Sequence, residues 1–179
     1  MARIINLILL VLEARGLFLS LPGRRWKALI FYTQLSNLMT VIASALLVLL
    51  GQLPWVTALR YLSVCMLIMT FFVTTCVLIP MGGDAKRLLL TGNGLYHHLL
   101  CPILSAASYL LIEKHAGAPA ILLPVILTLI YGLVMLYLNK KKLVDGPYPF
   151  FRVYEQTAAA TVLWVLVLMC AVGAISAGV

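Results

Sequence analysis

Six apolar runs of about twenty residues follow one another along the chain, and charged residues fall mainly between them. A helix that crosses a ~30 Å hydrocarbon core needs about 20 apolar residues. The runs lie at about Ile4–Leu21, Ala28–Leu50, Trp55–Pro80, Gly94–Ile112, Pro119–Asn139 and Tyr154–Ala177. They predict an all-α, polytopic membrane protein, a bundle of six transmembrane helices. All of residues 1–179 are expected to form a single transmembrane domain. Composition agrees: 64% of residues are hydrophobic and 10% are charged, against roughly 45–50% and about 25% in soluble domains.

The runs are not equally clean. The first contains Glu13 and Arg15 and is expected to pack among other helices with both charges inward, each with its own partner. Pro22-Gly23 ends it, and Arg24, Arg25 and Lys27 surround Trp26, an expected interface anchor. In the second run, Thr33, Asn37, Thr40 and Ser44 share one helical face, which should avoid lipid. Arg60, near the start of the third run, is expected to snorkel toward the interface. In the fourth, Pro102 removes the backbone bond to the His98 carbonyl and invites a kink. Glu113, Lys114 and His115 close that run.

Net charge is +8, and its distribution carries the information. The loops after the first, third and fifth runs hold most of the Lys and Arg, ending in Lys140-Lys141-Lys142 and Arg152. The positive-inside rule puts these loops in the cytoplasm. The cations therefore read as orientation signals and as attraction for anionic lipid, not as a nucleic-acid surface. The four cysteines, Cys65, Cys76, Cys101 and Cys170, sit inside apolar runs without paired spacing and imply no disulfide framework.

Membrane-depth polar residues are rare and mark functional sites by default. Tyr96-His97-His98-Leu99-Leu100-Cys101-Pro102 holds two of the three histidines beside a thiol. At ~1.5 Å per residue, Thr33 lies about 9 Å in from Lys27, His98 about 8 Å in from Asn93, and Thr74 about 9 Å in from Pro80. Glu155 enters from the same side. This predicts one polar layer near the basic face. Thr33 and His98 would make a nucleophile and a general base. They could equally be packing residues, with Thr33 bonded to its own helix and His98 serving as an interhelical donor. His98 and Cys101, three apart, offer a thiol alternative. Asn37, Thr74 and His97 are candidate oxyanion donors, and Cys101, Tyr131 and Glu155 candidate lining residues. Adjacent histidines diverge by about 100° on a helix, so no metal site is expected; no haem or other cofactor is expected either.

Three patches resemble one family. They are Arg25-Trp26-Lys27 with Phe31-Tyr32-Thr33-Gln34-Leu35-Ser36-Asn37, then His98 and Pro102 leading to Leu111-Ile112-Glu113, and Gly146-Pro147-Tyr148-Pro149. Together they are similar to motifs of the androgen-induced-gene family of integral membrane threonine hydrolases, which has small bacterial relatives. Leu99 and Leu100 stand where that family often has a polar residue, and His97 and Cys101 are not features of it. The resemblance implies hydrolysis of fatty acid esters of hydroxy fatty acids or similar acyl esters, with Thr33 as nucleophile and His98 as base. It also implies a multi-pass protein of a bacterial inner membrane that meets its lipid substrate in the bilayer. Rival expectations are a non-catalytic lipid-binding or structural protein, a Cys/His acyl-transfer enzyme, and a transporter. The last is disfavoured by the lack of an internal repeat.

Overall fold

A computed structural model describes residues 1–20 and 25–179, with 25, 26, 118 and 119 given as backbone only. Pro22, Gly23 and Arg24, and the side chains of Arg25 and Trp26, lie outside the described residues, and so does the turn expected there. The chain is all-helical, with no strand among the described residues. Its long helices are α1 (Ala2–Ser20), α2 (Tyr32–Leu50), α3 (Pro54–Leu78), α4 (Gly92–Ile112), α5 (Leu122–Lys140) and α6 (Ala158–Gly178). The last five are long and apolar enough to cross a membrane. With Arg3, Glu13 and Arg15 among its 19 residues, α1 is not one of those five.

Contacts divide the molecule into two compact units, Met1–Ala120 and Ile121–Gly178. In the first, α1 packs on α2 and α4, and α3 packs on the same two helices, giving a ring of four. Successive helices run antiparallel: Ser36 near the start of α2 bonds Thr70 near the end of α3, and Arg60 early in α3 bonds Glu113 just past α4. The polar face expected on α2 is buried, with Thr33, Ser36, Asn37, Thr40 and Ser44 all inside. Small hydroxyl side chains let the backbones approach closely and hydrogen-bond between helices. Gly51 turns α2 into α3 at φ +79°, a left-handed conformation that glycine adopts without a Cβ clash.

In the second unit, α5 and α6 pack together, with the short helix Pro149–Phe151 against both. Phe150 stacks on Tyr148 at 5.2 Å and meets Trp164 of α6 at 5.7 Å. Thr157 caps α6 by accepting the Ala160 amide at 3.1 Å, so the helix begins there and not at Tyr154 as the hydropathy suggests. The 18-residue stretch of α6 is 11% buried, against 67% for α3. Such a helix, apolar all round, suits lipid.

Two expectations about charge fail. Arg60 does not snorkel: its side chain is 0% exposed and paired with Glu113 at 3.0 Å. Antiparallel packing brings an early α3 cation level with the carboxyl past α4, and a buried ion is tolerated when paired. Glu13 and Arg15 do not both face inward. Glu13 is buried, whereas Arg15 is exposed with its guanidinium over the Phe18 ring at 5.9 Å.

Candidate functional site

At one end of the four-helix unit, the helices depart from regular α geometry where the polar residues stand. α3 ends in a π-turn, Thr74–Leu78, with the Ile79 amide bonded to the Thr74 carbonyl at 3.0 Å. α4 is wound as a π-helix over Leu95–Leu100, and the Cys101 amide reaches back to the Tyr96 carbonyl. Pro102 has no N–H to give the preceding turn, so the widened turn there has a covalent cause. The kink expected at Pro102 therefore takes the form of a π-turn. π-turns are rare and recur at functional sites.

The two π-turns meet through His98 and Thr74, with Nδ1 and Oγ1 2.8 Å apart. Thr74 Oγ1 also donates to the Thr70 carbonyl at 2.8 Å. A hydroxyl has one hydrogen. With that hydrogen on Thr70, the His98 bond must come from Nδ1–H, and Nε2 holds the lone pair of a general base. The one hydrogen of the Thr74 hydroxyl is thereby used, which removes it as an oxyanion donor.

Thr33 lies in the first turn of α2, 8% exposed. Phe31 is extended and separates α2 from the short helix Arg25–Ile30, so the second run is not one continuous helix from Ala28. The break puts Thr33 at a helix N-terminus, where the helix dipole favours negative charge. The Thr33 carbonyl accepts the Ser36 hydroxyl at 2.9 Å and the Asn37 side-chain amide, which occupies part of the donor capacity expected of Asn37. Gln34 Nε2 lies 3.4 Å from His97 Nδ1, and α2 packs on the Leu95–Leu100 stretch. That contact joins the sequence neighbours of Thr33 and His98. His98 itself is hydrogen-bonded to Thr74.

His97 points the other way, toward α1, and Cys101, four residues on, shares its face. Cys101 is fully buried among Leu9 and Leu67 and lies beside the Glu13 carboxyl. Its thiol therefore lies against α1, on the His97 side of α4 and not beside the His98–Thr74 bond. Tyr131 packs edge-on to Phe151 at 5.8 Å within the second unit. Glu155, also in the second unit, is exposed and paired with Arg152 at 3.2 Å instead of lining a buried layer. It precedes α6, where the chain is still a surface turn.

A second polar cluster at the far end went unpredicted. Arg60 makes a bidentate pair with Glu113, Nε to Oε2 and Nη2 to Oε1, both at 3.0 Å. Arg60 also donates to Ser63 at 3.0 Å and Ser105 at 3.3 Å, while Asn6 and Ser108 donate to Glu113 at 2.8 and 2.7 Å. The signal was available: opposite charges near the same end of adjacent antiparallel spans. Comparison of the chain with family models, curated proteins and solved structures finds no match.

Proposed function

We propose that the chain is an intramembrane hydrolase of long-chain acyl esters, with Thr33 as nucleophile and His98 as general base. The observation that carries this reading is the His98–Thr74 bond, which fixes the imidazole by Nδ1 and leaves Nε2 as the proton acceptor. Thr33 Oγ1 attacks the ester carbonyl while His98 Nε2 takes its proton. His98 then returns the proton to the departing alkoxide, and water resolves the acyl-threonine with the same base. The amide end of α2 favours the oxyanion.

The reading includes six spans, with α1 as the sixth and the basic loops cytoplasmic. Support for α1 comes from its length of 19 residues, about 28 Å at the helical rise. Further support comes from its register: Asn6 bonds Glu113 past one end of α4, and Gly16 abuts His97 near the other.

A second reading, a packing layer without catalysis, draws on the bonds Ser36–Thr70 at 2.9 Å and Thr74–Thr70 at 2.8 Å. A fluorophosphonate probe separates the two. The hydrolase is labelled, and Thr33→Ala and His98→Ala each reduce labelling by about 10²–10⁴-fold. Labelling that survives both substitutions defeats the proposal.

A further inference from the structure

A carboxyl and an imidazole face the α1–α4 interface, and neither takes part in the ester chemistry. Glu13 is fully buried, and neither carboxyl oxygen has a hydrogen-bond partner. His97 is fully buried, and its Nε2 has none either. That nitrogen abuts Gly16, where an added Cβ would stand 2.4 Å from it. Glu13 is three residues before Gly16 and lies one turn away on the same face. Leaving buried groups unsatisfied is costly, and here Glu13 lies one helical turn from the glycine that the unpartnered His97 nitrogen abuts.

The far side of the imidazole decides which way its hydrogen points. Gln34 Nε2 is 3.4 Å from His97 Nδ1, and Gln34 Oε1 is 3.2 Å from Ser20 Oγ. The single Ser20 hydroxyl hydrogen must then serve both Gln34 and the Leu17 carbonyl at 3.1 Å. Turning the Gln34 amide over exchanges its oxygen and nitrogen and removes the conflict. Ser20 donates to Leu17, Gln34 Nε2 donates to Ser20, and His97 Nδ1–H donates to Gln34 Oε1. His97 Nε2 is then a lone pair aimed at α1. A carboxylate would only oppose it, whereas a carboxylic acid donates to it.

We propose that Glu13 and His97 form a proton-binding site in which Glu13, as the neutral acid, shares its proton with His97 Nε2 through one bridging water. On transfer, the Glu13 O–H bond breaks and an N–H bond forms at His97. A carboxylate–imidazolium pair replaces two neutral groups with no change in net charge. The polar and titratable groups facing the pair are Cys101 and His98 on α4 and Gln34 on α2, while the Arg60 guanidinium on α3, held by Glu113 at the other end, acts on Glu13 only through its charge. No group of three or more His, Cys, Asp or Glu able to hold a metal ion occurs among the described residues. The chain Glu13–His97–Gln34–Ser20 runs from the buried part of α1 to its part-buried end.

The test uses the whole protein in detergent micelles, labelled with ¹⁵N-histidine, with His97 identified by elimination through His98→Asn and His115→Asn. The His97 ring hydrogen is expected on Nδ1. Glu13→Gln, whose amide still donates, keeps it there; Glu13→Leu moves it to Nε2. A wild-type ring protonated on Nε2, or a ring unchanged by Glu13→Leu, overturns the proposal. Infrared spectroscopy gives a second readout that needs only the wild type and the near-isosteric Glu13→Gln. A carboxylic-acid carbonyl band, sensitive to D₂O and absent from Glu13→Gln, is expected; a folded wild type without that band also overturns the site.

Discussion

The two ends of the four-helix unit are both polar, and they differ in how fully their hydrogen-bonding capacity is used. At the Arg60 end, every guanidinium nitrogen and both Glu113 oxygens are bonded. Three helices converge there through Asn6, Ser63, Ser105 and Ser108, with Asn6 Oδ1 left over. At the histidine end, Glu13, His97 Nε2 and Asn37 Oδ1 have no partner, and both helices that carry the His98–Thr74 bond are wound as π-turns. A saturated network has little left to offer a ligand and holds helices together. A network with spare donors and acceptors, on irregular backbone, has valences left for chemistry. Buried polar groups must be satisfied somewhere; an unsatisfied set marks where something else binds or moves.

That contrast can be broken most forcefully at Arg60. Arg60→Met strands the buried Glu113 carboxylate and is expected to cost about 3–5 kcal/mol. Adding Glu113→Leu should recover most of that loss, because an apolar pair of similar volume needs no partner. Unfolding midpoints in detergent report both. If the single and double variants unfold alike, the cluster is not the clamp described here.

Thr74→Val sharpens the other side of the contrast. It removes the acceptor for His98 Nδ1–H, a bond worth about 1 kcal/mol, and should slow probe labelling by about fivefold. Thr74→Ser should restore the rate. Equal labelling by the valine variant would mean that the imidazole needs no orienting partner. The smallest effect belongs to Glu155→Gln, which loses an exposed pair with Arg152. Stability should change by within ~0.5 kcal/mol, and labelling should not change. A larger effect would restore Glu155 to a working role.

Much of this was legible in the chain. Thr33, Asn37, Thr40 and Ser44 fall on one face by spacing alone, and that face is buried. The partners were not legible. Thr74 was a candidate oxyanion donor and proves to be the residue bonded to His98. Cys101 was a candidate partner of His98 and lies instead beside Glu13. On a regular helix His98 and Cys101 share a face, but the π-turn before Pro102 changes the rotation per residue, which no regular spacing anticipates. Gln34 drew no attention because its role depends on His97, 63 residues away.

The sequence by itself determined the all-helical class, the positions of the apolar runs and the polar face of α2. Those follow from hydropathy and helical period, which are local properties of the chain. Only the tertiary structure decided that Arg60 finds Glu113, that His98 is held by Thr74, and that Glu13 and His97 face one interface unpaired. Hydrogen bonds are directional and short, so which helix supplies a partner depends on register and rotation between helices.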